Sequence, residues 1–254
     1  MNKVIHPEFL HQAEEINQII ENFNTGGQMF VDGTRNKIKL FDLDNLTVNV
    51  KSFKVPNFIN KLVYRTFRKS KARRSYEFAN ILLEKGIGTP QPIAYFEHFT
   101  AFTLQDSYYM SAQMETELTF RQLIEIPDYP DHEKILRQFT RFTFELHEKG
   151  VEFLDNTPGN TLIKKTGEGQ YAFFLVDLNR MKFHNNMSFA QRIENMAKLT
   201  PETRLITVMS DEYAKLYNKS YDEVLGLMVK RTQYFSNRFH RKRAIKRKLG
   251  LRKN

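Results

Sequence analysis

The chain contains no cysteine. That excludes disulfides, thiolate metal sites and cysteine nucleophiles, and it fits a reducing compartment such as the cytoplasm. Long apolar runs are also missing. The longest are short, such as "AFFLV" at 172–176, well below the ~18 residues that a transmembrane helix needs. The first residues, "MNKVIHPEFLHQAEE", lack the apolar core of a signal peptide, so nothing directs export. Seven histidines are scattered without the spacing of a zinc site. Acidic residues are absent from 230–254, where 11 Lys and Arg stand together. The remainder carries 28 basic and 29 acidic residues, so one tail accounts for the net charge of +10.

What is present is a globular composition. With 254 residues, 41% hydrophobic and 27% charged, the chain can build one two-lobed domain or two small ones, with a real core. Residues 7–23 have helical period, with Leu10, Ala13, Ile16, Ile20 and Phe23 on one face and Pro7 suited to the first turn. From "GGQMF" to "VNVKSFKV" the pattern is of short strands, with "DGTRN" as a hairpin-type turn. Residues 70–85 return to helical period through Ala72, Tyr76, Ala79 and Leu83, with Gly86 placed to end the helix. "TPQPIAYFEHF" and "LQDSYYMSAQM" read as two further strands. Residues 131–149 form a helix with Ile135, Phe139, Phe142 and Leu146 on its apolar side, ended by Gly150. A hairpin follows, 161–165 and 172–176 around "TGEGQ", and everything beyond 187 is helical. The expectation is therefore α+β: a β-rich lobe with one helix over 1–112, a helical lobe with one hairpin over 113–229, and a basic tail over 230–254.

One stretch carries chemistry. In "VEFLDNTPGNTLI" (151–163) Asp155 is followed five places later by Asn160. Kinase catalytic loops use that spacing, with the Asp on the acceptor hydroxyl and the Asn on a metal. The spacing alone does not decide, because Asp44 and Asn49 repeat it. What separates the two is context: only the Asp155 pair has a helix before it and a hairpin after it. If 165 pairs with 172, Asn160 lies opposite Asp177, and opposed residues have Cβ atoms roughly 4.5–5.5 Å apart. Two such oxygen-bearing side chains suit a hard cation such as Mg²⁺; the ordinary alternative is that they cap strand ends.

Phosphoryl transfer also needs a cation over the nucleotide phosphates and a carboxylate to hold it. "NVKSFKV" offers Lys51 and Lys54, and the helix at 70–85 offers Glu77. Three apart on a strand, the two lysines point to opposite faces, so only one can serve. A solvated strand edge is the ordinary reading of either lysine. For Glu77 it is a surface ion pair with Arg73, worth tenths of a kcal/mol. The order Lys, Glu, Asp-Asn, Asp strengthens the joint case.

The stretch "VKSFKVPNFINKLVYRTFRKSKARRSYEFANILLEKGIGTPQPIAYFE" (50–97) resembles the lipopolysaccharide core kinase family, which phosphorylates Kdo or heptose of the inner core. "LHEKGVEFLDNTPGNTLI" and "FFLVDLNR" continue the resemblance over roughly residues 25–200. It implies a bilobal protein-kinase-like fold, ATP with Mg²⁺, and a sugar hydroxyl as acceptor. By position it implies Lys51 on the phosphates, Glu77 holding Lys51, Asp155 as the catalytic Asp, and Asn160 and Asp177 on the metal. The "VNVK" run favours Lys51 over Lys54. Several features depart from kinase pattern: Phe153 stands where His is usual, Leu178-Asn179 follow Asp177, and no nucleotide-covering glycine-rich motif or activation-segment signature is present.

The resulting expectation is an ATP-dependent kinase of an inner-core sugar, with Kdo as the leading acceptor, at the cytoplasmic side of the inner membrane. Its partners are a lipid-linked sugar and an anionic membrane surface. The tail supports the second: Val224, Met228, Phe235, Phe239 and Leu249 recur near helical spacing among Arg238, Arg241, Lys242, Arg243, Lys246, Arg247 and Lys248. The rivals are a protein kinase of the same fold and a catalytically silent kinase-like domain whose basic tail binds RNA or another anionic partner.

Overall fold

The computed structural model describes residues 1–33, 36–53, 69–100 and 103–248. Lys54, Leu249 and the centre of the "DGTRN" turn lie outside them. The chain divides into two compact units, Met1–Glu115 with Leu175–Arg180, and Thr116–Phe174 with Met181–Asn254.

The first unit is built on a six-stranded antiparallel sheet. Its strands are β1 (Asn2–Ile5), β2 (Gln28–Asp32), β3 (Asn36–Leu43), β4 (Leu46–Phe53), β5 (Pro92–Phe99) and β6 (Leu104–Ala112), in the order β1-β5-β6-β4-β3-β2. Alternation along β4 sends Val48 and Val50 into a core with Ile16, Ile20 and Phe23, and turns Lys51 to the opposite face. Helix α1 (Ala13–Glu21) supplies that core, but the segment before it differs from expectation. Pro7–Gln12 is a 3₁₀ turn. At three residues per turn Leu10 rotates off the apolar face, and it is 59% exposed. Helix α2 (Lys71–Glu84) buries Ala72, Tyr76, Ala79 and Leu82, so Leu82 rather than Leu83 faces inward. Gly86, at φ +66°, ends it in the left-handed region that glycine enters without strain.

The second unit packs helices around short strands. Helix α3 (Phe120–Glu125) follows β7 (Leu118–Thr119), and α4 (His132–Glu148) follows in turn. Phe120 stacks on Phe139 at 4.1 Å between centroids, and Phe173 meets Phe139 edge-on. Both Phe120 and Phe139 are fully buried, so truncating either to Ala costs about 3–5 kcal/mol. Strands β9 (Thr161–Gly167) and β10 (Gln170–Leu175) join β7 in a three-stranded sheet. Strand β8 (Val151–Phe153) pairs with β11 (Met181–Phe183), and Met181 lies opposite Phe153. Gly150 is required where β8 begins: at φ +71°, a Cβ there would sit 1.9 Å from the His184 carbonyl oxygen.

Helices α5 (Phe189–Met196), α6 (Thr203–Tyr217) and α7 (Tyr221–Lys248) complete the unit. Helix α7 runs through position 230 without a break, so the basic segment is the continuation of a core helix. Val224 and Met228 belong to the core, Phe235 is half-buried, and Phe239 is 51% exposed. The heptad that turns Met228 and Phe235 inward brings Lys242 next. Arg238, Arg241, Lys242, Arg243 and Arg247 then occupy all sides of the helix and are exposed. The amphipathic stripe expected for the tail stops at Phe239.

Candidate functional site

In the first unit, Lys51 lies in the middle of the sheet, opposite Ile38 on β3 and Tyr109 on β6. Its side chain is largely buried and passes over the Phe53 ring, with Nζ 5.3 Å from the centroid. Nζ donates to Asp177 Oδ1 at 2.7 Å. Asn179 Nδ2 donates to the same oxygen at 2.6 Å, so Leu178-Asn179 supplies the acid with a local donor. Asp177 Oδ2 takes no partner among the described residues. The segment is fastened to the unit at its base: Leu175 N donates to Gly88 O at 2.9 Å, and Thr89 Oγ1 donates to Leu175 O at 2.8 Å.

Asp177 is not a ladder residue. Strand β10 ends at Leu175, and Asp177 has φ +58°, a left-handed conformation that Asp tolerates better than most residues. Asn160 likewise lies outside the ladder, as the last residue of the 3₁₀ turn Pro158–Asn160. The cross-strand opposition of Asn160 and Asp177 expected from the hairpin is therefore not how the chain places them. The turn opened by Pro158, and the bend after Leu175, intervene.

Glu77 does not hold Lys51. Its carboxylate accepts from Lys69 Nζ at 2.7 and 3.0 Å and from Arg73 Nε at 2.9 Å. Burial pushes its pKa up, but the hydrogen bonds and charges of Lys69 and Arg73 outweigh that and hold it below the usual Glu value. Helix α2 is anchored instead through its cap. Ser70 Oγ accepts from Arg73 N at 3.0 Å, and Ser70 N donates to the buried Glu97 at 3.3 Å.

In the second unit, Asp155 sits between β8 and the 158–160 turn, on a backbone held from three sides. Phe153 O accepts from Asn195 Nδ2 at 2.7 Å, Leu154 O from Lys198 Nζ at 2.8 Å, and Asp155 O from Asn160 Nδ2 at 2.8 Å. Asn156 is buried and donates to Asn195 O at 3.2 Å. Phe153, standing where kinase loops usually have His, is fully buried in the core. Asn195 and Lys198 escaped the sequence reading because they lie about 40 residues downstream, one near the end of a helix whose only visible signal is amphipathic period and the other in the turn after it.

In the second unit Asn160 commits its NH₂ to Asp155 O, which leaves Oδ1 as the amide's acceptor. In the first, Asp177 keeps Oδ2 beside the donors on Oδ1. Oxygens of either kind are ones Mg²⁺ takes. The described residues include no cluster of three or more His, Asp or Glu that would hold a metal on protein ligands alone.

No family model matches the chain, and no curated protein matches it significantly. Solved structures do match. One is described as WaaP in complex with acyl carrier protein; it is 16% identical, with a TM-score of 0.63, over 93% of this chain and 99% of that one. At that identity the likeness concerns the fold. The fold is kinase-like, with a β-rich N-terminal part and a helical C-terminal part.

Proposed function

We propose that the chain is an ATP-dependent kinase that phosphorylates an inner-core sugar of lipopolysaccharide, with Kdo as the leading acceptor. The observation that carries the reading is the Lys51–Asp177 pair in the middle of the sheet. The Asp155 backbone held by Asn160 adds to it, as does the resemblance of 50–97 to lipopolysaccharide core kinases. Asp155 orients the acceptor hydroxyl and takes its proton as the oxygen bonds to the γ-phosphorus and the bond to the β–γ bridging oxygen breaks. Lys51 leaves Asp177 Oδ1 for the nucleotide phosphates and neutralises charge that builds there. Asn160 Oδ1 and Asp177 are the residues that would hold Mg²⁺, whose chemistry is to offset phosphate charge.

The acceptor is lipid-linked, and α7 gives the chain a means of reaching it. No helix among the described residues is long and apolar enough to cross a membrane. A helix end that is basic on all sides, with Tyr234, Phe239 and Ile245 exposed along it, suits adsorption to the anionic cytoplasmic face of the inner membrane. Each Lys or Arg near the lipid contributes about 1 kcal/mol. The same charge distribution favours one second reading, in which this helix tracks the phosphates of RNA.

The test is transfer of labelled γ-phosphate from Mg·ATP to purified lipid A–core lacking inner-core phosphate. The proposal expects label on the sugar with wild type and none with Asp155→Ala. Label on added protein instead, or none at all, overturns it.

A further inference from the structure

We propose that Asn195 is the positioning residue of the Asp155 loop, its amide held in a fixed line of hydrogen bonds that runs from Tyr213 through His147. The role in catalysis rests on the kinase reading; the line itself does not.

The argument starts at the loop and works backward. Phe153 O can only accept, so the Asn195 atom 2.7 Å from it is the NH₂ group. That turns Asn195 Oδ1 toward His147 Nε2, at 3.2 Å, and toward Asn156 Nδ2, at 3.3 Å. An amide oxygen can only accept, so His147 carries its proton on Nε2. In the neutral ring Nδ1 is then a bare acceptor, and the group 2.9 Å from it, Tyr213 Oη, must donate. Each direction is forced by the one before it.

The ring is held neutral by its surroundings. His147 is fully buried, and burial lowers its pKa to about 4, with the Arg192 charge acting the same way. The groups facing it are Tyr213 from α6 and Asn195 and Arg192 from α5; no carboxylate bonds the ring among the described residues, and neighbouring Glu148 is paired with Arg192.

A line of buried polar groups is costly unless every member is satisfied, and an apolar core could replace it. Its end point gives it a purpose. Asn195 bonds Phe153 O two residues before Asp155 and takes the Asn156 side-chain amide, one residue after it, on its Oδ1 and its backbone O. One side chain therefore grips the loop on both sides of the acid. If Tyr213 loses its hydroxyl, His147 Nδ1 is left without its donor, the Nε2–H tautomer is no longer the only one favoured, and the bond that holds Asn195 Oδ1 is weakened.

The experiment uses the full chain, ¹⁵N-labelled at histidine, with Tyr213→Phe and Asn195→Asp. In wild type the His147 nitrogens should show the neutral Nε2–H tautomer throughout pH 5–8, and in Tyr213→Phe the Nδ1–H form should appear. Transfer by Tyr213→Phe should lose about a hundredfold in kcat, the scale of a misplaced catalytic group. Mg·ATP affinity should stay within about twofold, and Asn195→Asp should lose at least as much kcat. An Nδ1–H tautomer in wild type overturns the line, whether or not transfer is seen and whether or not the variants fold. Wild-type kcat in a folded Tyr213→Phe overturns the positioning role. Absence of transfer by wild type overturns the kinase reading and the catalytic role with it, while the tautomer still decides the line.

Discussion

Lys51 Nζ lies 2.7 Å from Asp177 Oδ1, and Lys51 makes no other ion pair among the described residues. The lysine and the acid thus neutralise each other before a nucleotide arrives. In this arrangement Lys51→Ala removes the phosphate cation and should lower phosphoryl transfer by about a hundredfold or more. Lys54→Ala should stay within a few-fold. Steady-state transfer by the two variants checks this; a dead Lys54→Ala with an active Lys51→Ala would mean that the wrong lysine carries the role.

Asp177 and Asp155 should separate binding from chemistry. Asp177→Ala removes a charged ligand, and a charge-assisted contact contributes about 1.5–3 kcal/mol, so Mg·ATP affinity should fall roughly tenfold to a hundredfold. Asp155→Ala should keep nucleotide affinity and lose transfer. Calorimetric titration of both variants with Mg·ATP reads this directly, and equal losses of affinity would show that Asp155 is not the acid proposed.

Glu77 makes a pH prediction. Its folded pKa is lowered, so the stability it contributes is present above the unfolded Glu value and is lost as pH falls through the folded one. Glu77→Gln should therefore be slightly less stable than wild type near pH 7, by less than about 1 kcal/mol for so exposed a cluster. The difference should close as pH falls below the usual Glu range. Thermal melts of both proteins from pH 7 to pH 3 check the sign.

Much of the first unit was legible from its pattern: the strands over "TPQPIAYFEHF" and "LQDSYYMSAQM" form at 92–99 and 104–112, and Ala72, Tyr76 and Ala79 line the buried face of α2. Glu77 was misread because a kinase-like order of charged residues says nothing about which cation is nearer. Arg73, one turn away, is the neighbour that helical geometry favours. The Asn160–Asp177 opposition failed because a ladder register was extended past the residues that form the ladder. Asn195, His147 and Tyr213 were invisible for a different reason. Each reads as one polar residue on a helix, and only the fold shows that they form one line.

The tail makes a prediction that the buried part of α7 refines. Thr232 is buried and Arg231 pairs with Glu194 at 3.7 Å, so a cut after Val229 would damage the core. Truncation after Asn237 should leave folding and turnover of a soluble acceptor intact while abolishing salt-sensitive binding to anionic liposomes. Full-length protein that ignores such liposomes and binds RNA tightly would favour the RNA reading.

The central claim is tested most directly by mass spectrometry of lipid A–core from a strain lacking this chain. The account predicts a missing inner-core phosphate that wild type restores and Asp155→Ala does not. Unchanged core phosphorylation in the deletion strain would contradict it.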